Sequence, residues 1–191
     1  MYRTFDRKHW DIFSLYVIPI FTIWLACTDS WITTNLSSIA YTMNKEAAFI
    51  VWGFLSAWYF NTYIRHLFKL VKYHGRIGIS FMQAATLSLV FAIITPYLPE
   101  QFPQKARFHI LFAFFSPLLL LVCFICFQVY LEQINQNKFR RARYELLVMV
   151  IASFGLLYRL GFVSSLLEIF ISLSVCYYLR TTHKRIEGLP M

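Results

Sequence analysis

The stretch ILFAFFSPLLLLVCFICFQVYL, residues 110–131, decides the fold class, because it carries no charged side chain. At 1.5 Å per residue it makes a helix about 33 Å long, enough to cross a hydrocarbon core about 30 Å thick. Working outward, five more apolar runs repeat the signal. They extend roughly over Ile12 to Thr28, Ala48 to Phe68, Ile77 to Tyr97, Tyr144 to Tyr158 and Phe162 to Leu179. The first and fifth are at the short end for a span. Fusing the last two would give one helix about 54 Å long, too long for a single crossing. The expected fold is therefore all-α, a polytopic bundle of six transmembrane helices forming one transmembrane domain over residues 1–191.

Composition agrees. The 191 residues are 59% hydrophobic, 19% aromatic and 14% charged. A soluble domain is about 45–50% apolar and about 25% charged. The excess excludes a soluble enzyme, a disordered regulator and a disulfide-built secreted scaffold. The cysteines Cys27, Cys123, Cys126 and Cys176 lie in or beside apolar runs and form no disulfide framework. No small-residue cleavage site follows the first run, so it reads as a retained span.

The net charge of +9 would suit a nucleic-acid partner only if it lay on one soluble face. Instead, Lys and Arg sit in short clusters between apolar runs. With six spans, fourteen of the eighteen fall on the side of both termini, in the clusters around Arg7, Lys69, Arg140 and Arg185. Four fall on the other side: Lys45, Lys105, Arg107 and Arg159. The positive-inside rule then makes both termini cytoplasmic, and the expected location is the cell membrane, multi-pass. The partners implied are membrane lipids or another membrane protein, with no nucleic acid.

Two loops face outward, residues 29–46 and 98–109, and candidate chemistry collects beside them. Glu168 lies inside the sixth span, where a carboxylate is costly and faces a bundle interior or a wet cavity. Gly161, Ser165, Ser172 and Cys176 share its stripe at helical spacing. One reading makes this a polar site; the other pairs Glu168 with Arg159 across the tight link at Gly161. His109 opens the fourth span and Asp29 closes the first at the same level. A His, an acid and a serine are the elements of acyl transfer. Asp29, His109 and Glu168 are thus the candidate catalytic set. Ser37, Ser38, Arg107, Arg159, Ser165 and Ser172 are the candidate ligand contacts.

Other motifs carry less. No phosphate-binding loop, nucleophile elbow, zinc-protease or dinucleotide motif is present. Cys123 and Cys126 form a C-x-x-C on the inner half of the fourth span, with no loop pair to relay to, and read as small core residues. Of the histidines, only His66 and His109 lie close to spans, on opposite sides, which disfavours haem. No metal or cofactor is expected. Glycine is scarce, which sits poorly with a broken-helix carrier.

The segments Thr95-Pro96-Tyr97-Leu98-Pro99-Glu100-Gln101-Phe102-Pro103 and His109-Ile110-Leu111-Phe112-Ala113 resemble a bacterial six-span membrane family of unknown function. That family is similar to the eukaryotic DRAM, Sfk and GPI-lipid-remodelling membrane proteins. Ser37-Ser38-Ile39 approximates its first-loop serine motif, without the preceding proline. The resemblance implies a lipid-related or sensing role for the outer cleft.

Three functions follow as expectations. The first is an integral membrane module that binds a lipid or a partner membrane protein through its bundle and outer loops. The second is a lipid-modifying enzyme using the His/acid cleft. The third is a small-solute transporter or its substrate-binding subunit. The cytoplasmic cluster Lys138, Arg140, Arg141 and Arg143, beside Arg65, Lys69, Lys72 and Arg76, reads as a topology determinant or an anionic-lipid contact.

Overall fold

The computed structural model describes residues 2–27 and 29–189, with side chains from residue 7 onward. Thr28, the expected end of the first span, and the side chain of Arg3 lie outside the described residues. Within them the chain is all-helical, with no strand. Three helices are long and apolar enough to cross a membrane: Arg7–Ala26, Arg76–Ile94 and Pro103–Leu160.

The first rod is built of α1 (Tyr2–Ile12), a π-helical turn (Phe13–Val17) and α2 (Ile18–Ala26). Pro19 accounts for the irregularity. It lacks an N–H, and its ring crowds the carbonyl four residues back, at Leu15; the wider π turn there relieves the clash. Next come α3 (Leu36–Thr42), α4 (Glu46–Leu70) and α5 (Arg76–Ile94). The α3 helix lies inside the stretch expected to be an outer loop. α5 ends at Ile94, short of the expected Tyr97, because the residue before Pro96 is held in the extended region.

Continuous helix assignment makes α6 one element, Pro103–Leu160, yet Asn135 within it is extended (φ −157°, ψ 93°). There the chain folds back. Gln128 Nε2 donates to the Phe139 carbonyl at 2.9 Å, and Arg143 reaches Glu132 at 3.3 Å. Further along, Pro117 and Leu121 share one crevice with Ser153 and Met149. A straight helix would separate Pro117 from Ser153 by about 54 Å. The two limbs, 103–134 and 136–160, are therefore an antiparallel hairpin. Asn135 caps the second limb, its Oδ1 accepting from the Lys138 N–H at 3.1 Å.

That limb ends at Gly161, whose φ of 75° is the left-handed conformation that glycine adopts at helix C-termini. The last helix, α7, spans Ser165–Glu187, starting later and ending later than its expected span. The rod, α4, α5, the two limbs and α7 alternate in direction. Arg7, Tyr63, Val71, Tyr130, Glu145 and Arg185 all meet partners at one end, here called the basic end.

Tyr59, Tyr63, Phe124, Phe127 and Tyr178 are fully buried at the centre. The outer surface is equally apolar: Ile20 is 61% exposed, Ile77 66%, Val148 65% and Tyr158 92%. In water a surface of this kind drives aggregation; against lipid chains it is the expected exterior.

The Asn135 side chain is the local cap of this turn. Asn135→Ala should destabilise the fold by about 1 kcal/mol and Asn135→Ser by much less, read as unfolding midpoints in detergent. An Asn135→Ala chain as stable as the parent would mean the cap does not hold the turn.

Candidate functional site

At the end opposite the basic end, two helices begin against each other. Each leaves N–H groups in its first turn without intrahelical acceptors. In α7, Ser165 N donates to the Thr34 carbonyl at 2.7 Å and Leu166 N to the Trp31 carbonyl at 2.9 Å. Ser165 Oγ adds a bond to the same Thr34 carbonyl at 3.0 Å, and Leu167 N meets the N-cap Ser164 Oγ. In return, the α7 carboxylate Glu168 accepts the Leu36 N–H, the first of α3, at 2.7 Å. Asn35 caps α3 locally, accepting from Ser38 N at 2.7 Å and from Ser37 Oγ at 2.9 Å. The carboxylate thus sits where the first turns of two helices meet, each with N–H groups that need an acceptor outside the helix.

This arrangement places most of the expected ligand residues and separates the catalytic set. Ser37, Ser165 and Glu168 converge on the α3–α7 junction. Ser38 stands at its edge, and Ser172 lies half-buried one helical turn beyond Glu168. Arg107 and Arg159 are exposed. Of the two readings the sequence left open for Glu168, the pair with Arg159 does not form among the described residues. The exposed guanidinium is solvated, whereas the Leu36 N–H is a fixed donor with no intrahelical acceptor. His109 is elsewhere and buried; its Nδ1 is 2.8 Å from the Ala92 carbonyl and 2.9 Å from the Thr95 carbonyl. Both partners only accept, so Nδ1 carries the hydrogen and the ring caps the C-terminus of α5. Asp29 accepts from its neighbour Ser30 N at 2.7 Å. Among the described residues, no hydrogen bond or ion pair joins Asp29, His109 and Glu168.

Besides a shallow apolar groove on the first rod at Tyr16, Ile20 and Trp24, two cavities bear on function. A polar cleft of about 360 Å³ lies between α3 and the α5–α6 connection, lined by Ser38, Tyr41, Thr42, Tyr97 and Glu100 among others. A second, apolar crevice of about 100 Å³ runs between the two limbs of α6 and α7. Its walls include Pro117, Leu121, Phe124, Met149, Leu167 and Ile171, and Ser153 is its one polar side chain. Phe114 (38% exposed) and Phe154 (49%) form its rim, so it opens sideways onto the apolar exterior.

The basic end holds a network that sequence reading did not assemble. Asp11 accepts from Arg180 at 2.7 Å and faces Arg7, which in turn bonds Glu187. Trp10 stacks flat on Tyr63 with ring centroids 4.5 Å apart, and Tyr63 Oη is 3.0 Å from His183 Nδ1. His66 and His183 have ring centroids 5.3 Å apart. The signal was the helical spacing of Arg180, His183, Lys184 and Glu187, which marks α7 as continuing past its apolar span. Among the described residues, no group of three His, Cys, Asp or Glu side chains is placed to hold a metal ion. The chain matches no family model, no curated protein and no solved structure.

The junction makes a graded prediction. Glu168→Ala leaves the Leu36 N–H without its acceptor and should cost about 1–3 kcal/mol. Glu168→Gln keeps a neutral acceptor and should cost less. Arg159→Gln should stay within about 0.5 kcal/mol, as exposed positions do. A Glu168/Arg159 double-mutant cycle in detergent should be additive; coupling above about 0.5 kcal/mol would restore the ion pair and remove the cap.

Proposed function

We propose that the protein is a six-span cell-membrane protein, with both termini cytoplasmic, that binds a membrane lipid by seating an acyl chain in its helical bundle. Several observations support the six spans. The rod, α4, α5, the two α6 limbs and α7 alternate in direction, and the clustered Lys and Arg gather at one end. The apolar exterior between the two ends supplies the lipid-facing belt.

The observation that carries the lipid reading is the crevice between the α6 limbs and α7. It is narrow and apolar, and it opens sideways rather than toward either aqueous end. A solute carrier needs polar contacts along a path between the two ends. A slot with one hydroxyl, Ser153, offers a hydrocarbon chain a fit and offers a polar solute almost nothing. The enzyme reading needs His109 and an acid in one cleft, and their bonds run to separate helix ends. Binding therefore stands ahead of catalysis. The lipid-related role implied by the resemblance at residues 95–113 accords with it.

Two measurements test this. With Cys27, Cys123, Cys126 and Cys176 replaced, a cysteine at Gln104 should react with an impermeant maleimide in intact cells. A cysteine at Asn137 should react only after permeabilisation; the reverse order would overturn the topology. A phosphatidylcholine carrying a photoreactive acyl chain should label residues 113–124 and 149–157 preferentially. Ser153→Leu, which fills the slot, should cut that labelling severalfold. Even labelling around the whole apolar belt would remove the crevice from the proposal.

A further inference from the structure

Among the described side chains, the basic end carries thirteen Lys and Arg against four acids. The structure divides the cations into two sets. All four acids are engaged in pairs that tie helices or limbs together. Asp11 holds Arg180 at 2.7 Å, Glu145 holds Arg185 at 2.6 Å, Glu132 holds Arg143 at 3.3 Å, and Glu187 holds Arg7. The second set has no acid within ion-pair distance among the described residues. Six of its eight members gather on the α4–α5 turn, as Arg65, Lys69, Lys72 and Arg76, and on the α6 turn, as Lys138 and Arg140; the other two, Lys8 and Lys184, stand elsewhere at the basic end.

The two turns make one surface. Tyr130 Oη, near the end of the first limb, donates to the Val71 carbonyl at 2.9 Å and lies 3.3 Å from that of Lys72. Beneath the α4–α5 turn, Tyr73 is buried against Phe68, Phe127 and Tyr130. It is also clamped under the backbone, since a Cβ on Gly75 or Gly78 would fall 2.3 or 2.4 Å from Tyr73 Oη. Lys72, at φ 54°, leaves this anchored turn in a left-handed backbone conformation. Arg65, Lys69, Lys72, Arg76 and Arg140 are exposed on these turns, while the half-buried Lys138 lies against Gly188 at the end of α7.

The cations also adjoin apolar exterior. Ile77, 66% exposed, follows Arg76, and Ile134, 43% exposed, precedes the turn that carries Lys138 and Arg140. A ligand for this surface has a negative head and an apolar body side by side. A soluble polyanion lacks the second part, and a zwitterionic headgroup lacks the net charge. We propose that this surface binds the phosphodiester headgroups of anionic phospholipids in the leaflet it faces. Long Lys and Arg stems can lie along the apolar flank while their charges reach headgroup level. The inference rests on the membrane reading above but is independent of the acyl crevice.

The test uses the full chain in a neutral detergent. Phosphatidylglycerol and phosphatidylcholine with identical acyl chains are titrated in, and bound lipid per protein is counted by native mass spectrometry. The parent should prefer phosphatidylglycerol by at least about tenfold, since each cation near an anionic surface contributes about fivefold. High salt should erode the preference, and free glycerol phosphate should not compete for the site. The combined variant Lys69→Gln, Lys72→Gln, Arg76→Gln and Arg140→Gln should abolish the preference. Should that variant not fold, Lys72→Gln with Arg140→Gln should weaken it by about tenfold or more. Lys45→Gln with Lys105→Gln, at the opposite end, should leave it unchanged. Equal affinity of the parent for the two lipids, competition by glycerol phosphate, or a preference that a charge-removing variant leaves undiminished would overturn the proposal. A Ser153→Leu chain that loses acyl labelling but keeps the preference would defeat the crevice alone.

Discussion

The first N–H groups of any helix lack intrahelical acceptors and must find others, a constraint that sharpens where, as on the six-span reading, water is scarce. The α3–α7 junction meets that constraint twice over. The carbonyls of Trp31 and Thr34 take the first N–H groups of α7, and Glu168 takes the first N–H of α3. Neither helix is complete alone. A seven-residue helix such as α3 is too short to persist on propensity, so its existence depends on α7 being in place. The junction in turn holds the first outer segment against the bundle and shapes one wall of the cleft at Ser38 and Tyr41. A buried carboxylate that looks like a catalytic candidate is thus consumed by architecture.

The same distinction between consumed and available polar groups runs through the other end. Arg180, Arg185 and Arg7 act as fasteners between α7 and its neighbours, and their acids leave them little charge to offer a partner. Topology rules count every Lys and Arg alike, whereas recognition depends on those left over after the helices have been tied. His109 follows the same logic, spending its Nδ1 hydrogen on the end of α5.

The architecture was legible in the sequence wherever it followed from composition. Residues 110–131 mark a helix apolar enough to cross a membrane without any tertiary knowledge. The turn at Asn135 was harder to place, because Gln133 to Arg143 is polar but helix-compatible, and one asparagine cap is the only local sign of a reversal. The α3 helix was invisible for a different reason: half of its capping comes from a residue 132 positions away. Glu168 stood out as a charge at depth, but its partner is a backbone N–H, which no residue letter records. Ser164 caps α7 locally, which leaves Glu168 free to reach across to a second helix.

The link between the second α6 limb and α7 has a consequence for how the chain enters a membrane. Only Gly161, Phe162, Val163 and Ser164 separate the two helices, and none is charged. On the six-span reading, residues 136–187 can insert as a single helical hairpin, led by an uncharged tip. Arg159 and Glu168 are the ionisable side chains nearest that tip on either side. Almost no hydrophilic chain has to be translocated for the last two crossings. The left-handed Gly161 thereby supports biogenesis as well as the finished fold, since it makes the tip tight enough to pass through as one unit.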